Sequence, residues 1–238
     1  MYVTRSIPTS SKAEPVCLRD GTRIHTAVLQ PHRFDELVRV VPERVLTSNG
    51  QARGHRYEDW LDDQPGDVIA VKQKQLDELH AIANAVHEET RNLLHNVHAV
   101  VEKPMFWTEA GRQFRSMPDW LCQKDDGTFL AIDLKSARDA TERGFRRAVM
   151  SHRYWLQDAH YSVGVEFEHC YEVSEFWFVA VEKQPPYLCR AYELAPMVRA
   201  EARQKRAELI EQLNACYASG DWSDEGEGTV TTLDDLKL

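Results

Sequence analysis

The chain has 238 residues, of which 42% are hydrophobic and 28% are charged, and its formal net charge is −9. A chain of this length and composition can bury a full core, which excludes a disordered or fibrous protein. The negative charge excludes a protein that coats nucleic acid through clustered Lys and Arg, but it leaves a nuclease open.

Neither a membrane protein nor a secreted one is expected. The chain has no apolar stretch long enough to cross a bilayer, and residues 1–15 lack the apolar centre of a signal peptide. The five cysteines are scattered, and they form no paired metal-ligand spacing. We therefore expect a cytoplasmic protein with reduced thiols.

The first half of the chain is predicted to be largely helical. Residues 1–20 form an extended N-terminal segment, in which a short helical pattern starts at Leu18 and continues to Leu29. A second short helix is predicted over Phe34–Val41. Residues 43–65 are rich in Gly, Asn, Asp and Arg and indicate a loop. Apolar residues at helical spacing then predict a long helix over Val71–Asn96.

Three strands follow in the middle of the chain. They are predicted over Val97–Trp107, Gln113–Cys122 and Phe129–Lys135. Asp125-Asp126-Gly127 has the composition of a hairpin turn between the last two strands. These strands would form the centre of a sheet.

The remaining elements complete an α/β layer. A long helix is predicted over Glu142–Val163, two strands over Phe176–Glu182 and Tyr187–Tyr192, and a charged helix over Leu194–Tyr217. The order of helices and strands predicts helices flanking a mixed sheet, in a single domain over residues 21–218. Residues 219–238 are expected to form an acidic tail.

Two acids and a lysine are placed where neighbouring strands would bring them together. Asp119 follows Pro118, which cannot continue a strand ladder, while Asp133 and Lys135 alternate along the next strand and share one face. Two carboxylates and an ammonium at one point are suited to Mg²⁺ facing a phosphate. A structural salt bridge between Lys135 and either acid is the alternative explanation.

Four segments of the chain form a set, which consists of Gly21–Phe34, Met117–Leu121, Ala131–Ser136 and Tyr154–Tyr161. Taken together, they resemble the exodeoxyribonuclease VIII (RecE-like) branch of the PD-(D/E)-x-K nuclease superfamily. The resemblance extends from about Gly21 to Tyr192. It implies an α/β restriction-endonuclease-like core with a central mixed sheet flanked by helices.

The resemblance also implies a function and a set of site residues. Such enzymes use Mg²⁺, for which Mn²⁺ can substitute, and digest linear double-stranded DNA from 5′ to 3′. They form homo-oligomeric rings and leave 3′ single strands for an annealing protein in recombination. Asp119 and Asp133 would hold the metal ion, with His25 completing its ligands. Lys135 would position the attacking water and face the scissile phosphate.

Other candidate residues lie next to these. Gln157 and Tyr161 share a helix face, and in the resembling family this pair lies beside the active site. Ser136 could bond a phosphate or cap the next helix, and Glu102 could be a further acid near the metal or could point to solvent. For His25 and for the Gln157–Tyr161 pair, packing in the core is the alternative.

Four arginines follow the candidate site and could hold the DNA backbone or a 5′-phosphate. A solvated helix face is an equally good explanation for them. They are Arg143, Arg146, Arg147 and Arg153.

Two other functions are compatible with the sequence. One is a nuclease of the same superfamily with another polarity or role, although Cys170, Cys189 and Cys216 are too far apart in sequence for its iron–sulfur members. The other is a DNA-binding module that keeps the nuclease fold without catalysis.

Overall fold

The computed structural model describes residues 16–91, 94 and 98–222, with the backbone alone for residues 16–20. The helices are α1 (Val16–Leu29), α2 (Pro31–Leu37), α3 (His55–Asp62), α4 (Gln73–Thr90), α5 (Glu142–Ser151), α6 (Tyr154–His169) and α7 (Pro196–Ser219). The strands are β1 (Val38–Val40), β2 (Ile69–Val71), β3 (Ala99–Val101), β4 (Met105–Glu109), β5 (Arg112–Ser116), β6 (Trp120–Gln123), β7 (Phe129–Ala137), β8 (Val173–Glu182) and β9 (Cys189–Glu193). A 3₁₀ turn spans Glu43–Val45.

A five-stranded mixed sheet in the order β3-β6-β7-β8-β9 forms the centre of the fold. Strands β7 and β8 are parallel, and the other neighbouring pairs are antiparallel. Strand β7 is central and is buried on both faces over most of its length. The predicted α/β class, with helices flanking a central mixed sheet, is confirmed.

The two faces of the sheet are covered by different helices. Alternation along β7 directs Ile132 and Leu134 into an apolar cluster with α1 and α4. Ala131 lies on the opposite face, in a second cluster with α5 and α6. Asp133 and Lys135 share that second face, so their polar groups enter the layer between the sheet and α6.

The hairpin turn between β6 and β7 is confirmed. Lys124 N donates to Thr128 O at 2.8 Å, and the two strands pair in register from Gln123 and Phe129 onward. Gly127 has a φ of 86°, a conformation that favours glycine.

Several predicted boundaries in the first half are wrong. Helix α1 starts at Val16, so the end of the segment predicted to be extended is helical, and residues 1–15 lie outside the described part of the chain. The second helix ends at Leu37, because the β-branched residues Val38 and Val40 pair in parallel with β2. The predicted long helix is α4, which ends at Thr90, and residues 92–93 and 95–97 are also outside the description.

The region predicted as a loop contains helix α3. This helix starts after Gly54, whose φ of 83° sets the turn into it. Tyr57 and Trp60, one turn apart, bring their rings to 6.0 Å between centroids. The polar composition of the region favoured a loop, so this short helix was not predicted.

Three elements predicted after residue 96 are each divided in two by the structure. The first predicted strand breaks into β3 and β4 at Glu102, which has a φ of 47°. The second breaks into β5 and β6 around Pro118. The long helix breaks into α5 and α6 at Arg153, which has a φ of 55°.

Strands β4 and β5 pair with each other in a separate two-stranded sheet, which we call the β4–β5 hairpin. Its inner face packs on α6, where Trp107 lies 5.0 Å from the ring of His160. Arg206 of α7 forms an ion pair with Glu109 at 2.5 Å. The hairpin is thus fixed to two helices.

The last strand pair and the terminal helix agree with the sequence. Strands β8 and β9 and helix α7 lie close to the predicted ranges. Residues 223–238, most of the predicted acidic tail, lie outside the description. Among the described residues, no helix combines the length and the apolar character needed to cross a bilayer.

A substitution at Gly164 of α6 tests how closely the β4–β5 hairpin packs on this helix. A Cβ there would come within 2.7 Å of Trp107 Cζ3 and would also collide with the hydroxyl of Ser116. We expect Gly164→Ala to lower the free energy of unfolding by about 1–3 kcal/mol through overpacking, measured by urea denaturation. The control is Gly21→Ala in α1, where a Cβ meets no atom within 4 Å and should be neutral or stabilising. Equal effects of the two substitutions would contradict this packing.

Candidate active site

The two candidate acids lie on adjacent antiparallel strands. Asp119 directly precedes β6, and Asp133 is in β7, where its neighbour Ile132 pairs with Trp120. The backbone N–H of Leu134 donates to Asp119 Oδ2 at 2.6 Å, which holds this carboxylate against β7. Only 5% of Asp119 and 4% of Asp133 are exposed, so both acids require partners.

The side chains of His25 and Glu102 converge on Asp119. His25, from α1, places Nδ1 3.5 Å from Asp119 Oδ1. One ligand atom from each of His25, Glu102 and Asp119 lies within 4.8 Å of the others. An imidazole and two carboxylates at this spacing could coordinate a divalent cation such as Mg²⁺ or Mn²⁺.

The backbone turn at Glu102 brings its side chain to this cluster. Its left-handed conformation ends β3, and its N–H donates to the carbonyl oxygen of Asp119 at 3.0 Å. Gln30, at the end of α1, donates from Nε2 to the Glu102 carboxylate. Glu102, which the sequence offered as an additional acid, is therefore held beside Asp119, and Gln30 was not foreseen.

Asp133 belongs to a second, linked cluster on the α6 side. Lys135 Nζ lies 2.5 Å from Asp133 Oδ2, and it donates to Gln157 Oε1 at 2.7 Å. Gln157 Nε2 in turn donates to Asp133 Oδ1 at 2.5 Å. Lys135 Nζ also lies 4.5 Å from the centre of the Tyr154 ring, a contact that the sequence did not indicate.

The sequence predicted His25, Asp119 and Asp133 as metal ligands. The structure groups the first two with Glu102 and engages Asp133 with Lys135 and Gln157. Asp133 Oδ2 is buried, and no aligned hydrogen-bond donor in the described chain reaches it besides the ionic contact with Lys135. The Asp133 carboxylate also lies within electrostatic range of Asp119 and His25, so it could serve as a further cation ligand.

The electrostatics of the two clusters are coupled. Burial raises the pKa of Asp133 above its usual range, and the Lys135 ammonium opposes this effect. Burial alone would lower the pKa of His25, but the hydrogen bond and negative charge of Asp119 outweigh it and raise the pKa. Protons therefore compete with a cation at both groups.

Tyr161 and Ser136 occupy the edges of the site. The Tyr161 ring packs in the apolar cluster, 6.4 Å from the ring of Phe176. Its pKa is raised mainly by burial, and an interaction with the Gln157 side chain opposes the rise. Ser136 does not cap α5, because Thr141 Oγ1 accepts from Gly144 N there.

The arginines are exposed on or beside α5. Arg147 lines a cavity of about 250 Å³ together with Lys135, Ser136 and Arg138. Arg146 is paired with Glu142 at 2.8 Å on the helix surface. Arg143 is also on that surface, and Arg153 lies at the break before α6. Of the four predicted arginines, the structure thus places Arg147 in a cavity with the site lysine.

The described cysteines do not form a cluster. Cys122 and Cys189 are buried in different strands, and Cys170 and Cys216 lie elsewhere. Burial raises the pKa of Cys122 to about 11 and that of Cys189 to about 12, so both thiols stay protonated at neutral pH. This arrangement does not fit an iron–sulfur cluster, which needs four grouped thiolates.

Comparison with known families agrees with the geometry of the site. The PDDEXK-like domain of unknown function (DUF3799) matches this sequence over residues 9–231. The chain belongs to this family. This match shows a PDDEXK-like domain, and it does not extend to the RecE-like branch.

Solved structures support the fold of this PDDEXK-like domain. A candidate exonuclease from Eubacterium rectale is 11% identical and superposes with a TM-score of 0.55, covering 96% of this chain and 79% of that one. Protein VC1899 from Vibrio cholerae is also 11% identical and covers 83% of this chain and 52% of that one, but its TM-score of 0.29 is too low to carry an argument. No curated protein matches the sequence.

We expect Mg²⁺ or Mn²⁺ to bind this site and to stabilise the fold. At a concentration one hundred times its dissociation constant, a cation should stabilise the folded chain by about 2.7 kcal/mol. The apparent affinity should be higher at pH 8 than at pH 6, because the raised pKa values of His25 and Asp133 mean that more protons must be displaced at the lower pH.

Titration calorimetry and thermal unfolding measure these effects. Asp119→Asn should abolish the binding heat and the stabilisation. Asp77→Asn, an exposed carboxylate on α4, should preserve both. A binding heat that survives in Asp119→Asn would assign the cation to another place.

Proposed function

We propose that this protein is a metal-dependent exodeoxyribonuclease that digests linear double-stranded DNA. The observation that carries this proposal is the hydrogen-bonded group of Asp133, Lys135 and Gln157 next to the cluster of His25, Glu102 and Asp119. A structural salt bridge would not require a second cluster of candidate metal ligands, one of them the buried Asp119, beside it.

The residues have distinct roles in this proposal. His25, Glu102 and Asp119 would hold Mg²⁺ or Mn²⁺, with Asp133 Oδ2 as a further oxygen ligand. The bound cation would supply a water of lowered pKa and would offset charge on the phosphate. The polar side chains of β7 and α6 would bind and orient the phosphate.

Lys135 lies where charge would build up on the scissile phosphate. Its ammonium is only partly exposed, with 17% of the side chain accessible, so its field is weakly screened by solvent. Gln157 fixes the lysine and Asp133 at the same time, since its amide oxygen accepts from one and its nitrogen donates to the other. Tyr161 lies one helical turn after Gln157 on the same face of α6, where its ring packs against Phe176.

The cavity beside Lys135 would receive the phosphate at a DNA end. Arg147 and Arg138 provide two guanidinium groups along its wall, and Ser136 provides a hydroxyl. Arg143, Arg146 and Arg153 would contact the backbone further from the cut. Three of the charged side chains that line the cavity are cationic and one, Asp139, is anionic, although the whole chain carries a net charge of −9.

The remaining features of the proposal come from the resemblance to the RecE-like branch. They are digestion from 5′ to 3′, a ring of identical subunits around DNA, and transfer of the 3′ single strand to an annealing protein in the cytoplasm. Another polarity within the same superfamily would leave the chemistry of the site unchanged.

The first test is hydrolysis of a linear duplex with labels at either end. We expect loss of duplex only with Mg²⁺ or Mn²⁺, with mononucleotides released from the 5′ ends. Lys135→Ala should lower the rate by about 10²–10³-fold, because a cation at the developing charge is removed. Lys205→Ala, an exposed lysine on α7, is the matched control.

Two results would contradict the proposal. One is the absence of cation-dependent hydrolysis by the wild-type chain. The other is equal activity of the Lys135→Ala and Lys205→Ala variants. Release from the labelled 3′ ends would reject only the proposed polarity.

The second test concerns the cavity beside Lys135. We expect the wild-type chain to digest a 5′-phosphorylated duplex faster than a 5′-hydroxyl duplex, because Arg147 would bind the terminal phosphate. Arg147→Ala should reduce this ratio by about 10-fold or more, as expected for the loss of a charge-assisted hydrogen bond. Arg56→Ala on α3 should leave the ratio intact. An unchanged ratio in Arg147→Ala would remove this residue from end recognition.

A further inference from the structure

The β4–β5 hairpin is inserted in the chain between two residues of the candidate metal cluster. Glu102 lies shortly before β4 begins at Met105, and Asp119 lies shortly after β5 ends at Ser116. Both ends of the hairpin are therefore attached to the site, while its tip, at Ala110 and Gly111, points along the strands away from these attachments.

The outer face of the hairpin presents an exposed aromatic ring next to a cation. Phe106 is 67% exposed. It lies directly opposite Arg115, whose side chain is also exposed. The next pair on this face, Thr108 and Gln113, is polar. A shallow cavity of about 510 Å³ is lined by residues of this hairpin, including Phe106.

The inner face holds this surface in a fixed position. Trp107 is 6% exposed and stacks on Phe114 with 5.6 Å between the ring centroids. The ion pair of Glu109 with Arg206 ties the far end of the hairpin to α7. Phe106 is thus carried by a packed strand and not by a mobile loop.

The covalent connection sets the reach of this surface. Phe106 is four residues from Glu102 and Arg115 is four residues from Asp119, which limits each separation to about 14 Å. That distance is about four nucleotides of a stacked strand. Burial raises the pKa of Tyr161 and the charge of Arg115 opposes the rise, so this guanidinium lies within electrostatic range of the site.

We propose that Phe106 and Arg115 form a platform that binds a single DNA strand beside the cleavage site, with a base stacked on the ring and a phosphate at the guanidinium. This inference rests on the proposed nuclease function. An aromatic face and a cation side by side match the alternating bases and phosphates of an unpaired strand. Phe106 and Met117, the exposed large apolar residues within two positions of this pair, are too few for a stable protein interface.

The test measures binding of the full chain to a labelled single-stranded oligonucleotide by fluorescence anisotropy. EDTA is present, so that binding is separated from hydrolysis. We expect Phe106→Ala to weaken binding by about 5- to 100-fold, the range for loss of one base–aromatic stack, and Phe106→Trp to preserve it. Arg115→Ala should weaken binding and reduce the dependence of log K on log salt concentration by about 0.7.

The matched control is Tyr171→Ala, which removes another exposed aromatic ring, two residues before β8 begins and outside the hairpin. It should leave binding unchanged, and circular dichroism checks that each variant is folded. Equal binding by the Phe106→Ala and Tyr171→Ala variants would overturn the platform. A change in oligomeric state without a change in DNA binding would also overturn it, in favour of an interface between copies.

The outcome for the platform is separable from that for the nuclease. If the wild-type chain fails to hydrolyse duplex DNA with Mg²⁺ but binds a single strand through Phe106, the nuclease proposal fails and the platform stands. If hydrolysis occurs and Phe106→Ala binds as wild type, the reverse holds.

Discussion

The hydrogen bond from the backbone of Leu134 to Asp119 is the contact on which the candidate site depends. It is formed across two antiparallel strands, so the position of one acid is set by the strand that carries the other. The same peptide segment directs Leu134 into the α1–α4 side of the core and Asp133 toward α6. Two buried carboxylates are tolerated because each has partners from a different layer: His25 from α1 for Asp119, and Gln157 from α6 for Asp133.

Helix α6 links the site to the rest of the domain. Gln157 reaches the polar groups of β7, while the next residue, Asp158, is 1% exposed and pairs with Arg199 of α7 at 3.1 Å. Burial raises the pKa of Asp158, and the Arg199 guanidinium opposes this. Arg199 also donates to the carbonyl oxygens of Val173 and Ser174, at the start of β8. One turn of helix is thus attached to the site, to α7 and to the sheet.

The sequence predicted those features that local chemistry decides. The alternation along β7, the glycine turn before it and the shared face of Gln157 and Tyr161 each follow from residue type and spacing. The helix break at Arg153 and the bend at Glu102 could not be predicted, because both are non-glycine residues with positive φ, a conformation that residue type does not indicate. The grouping of Glu102 with His25 and Asp119 depends on the bend at Glu102, which explains why Glu102 could be predicted only as an additional acid.

The break between α5 and α6 has a structural consequence. Because the helix axis is interrupted at Arg153, α5 can turn over the end of β7 while α6 keeps Gln157 against Asp133. Helix α5 therefore supplies much of the cavity wall, while α6 supplies the side chain that supports the acid–lysine pair. Substitutions in α5 would change the shape and charge of this cavity and would leave the contacts of Gln157 with Asp133 and Lys135 in place.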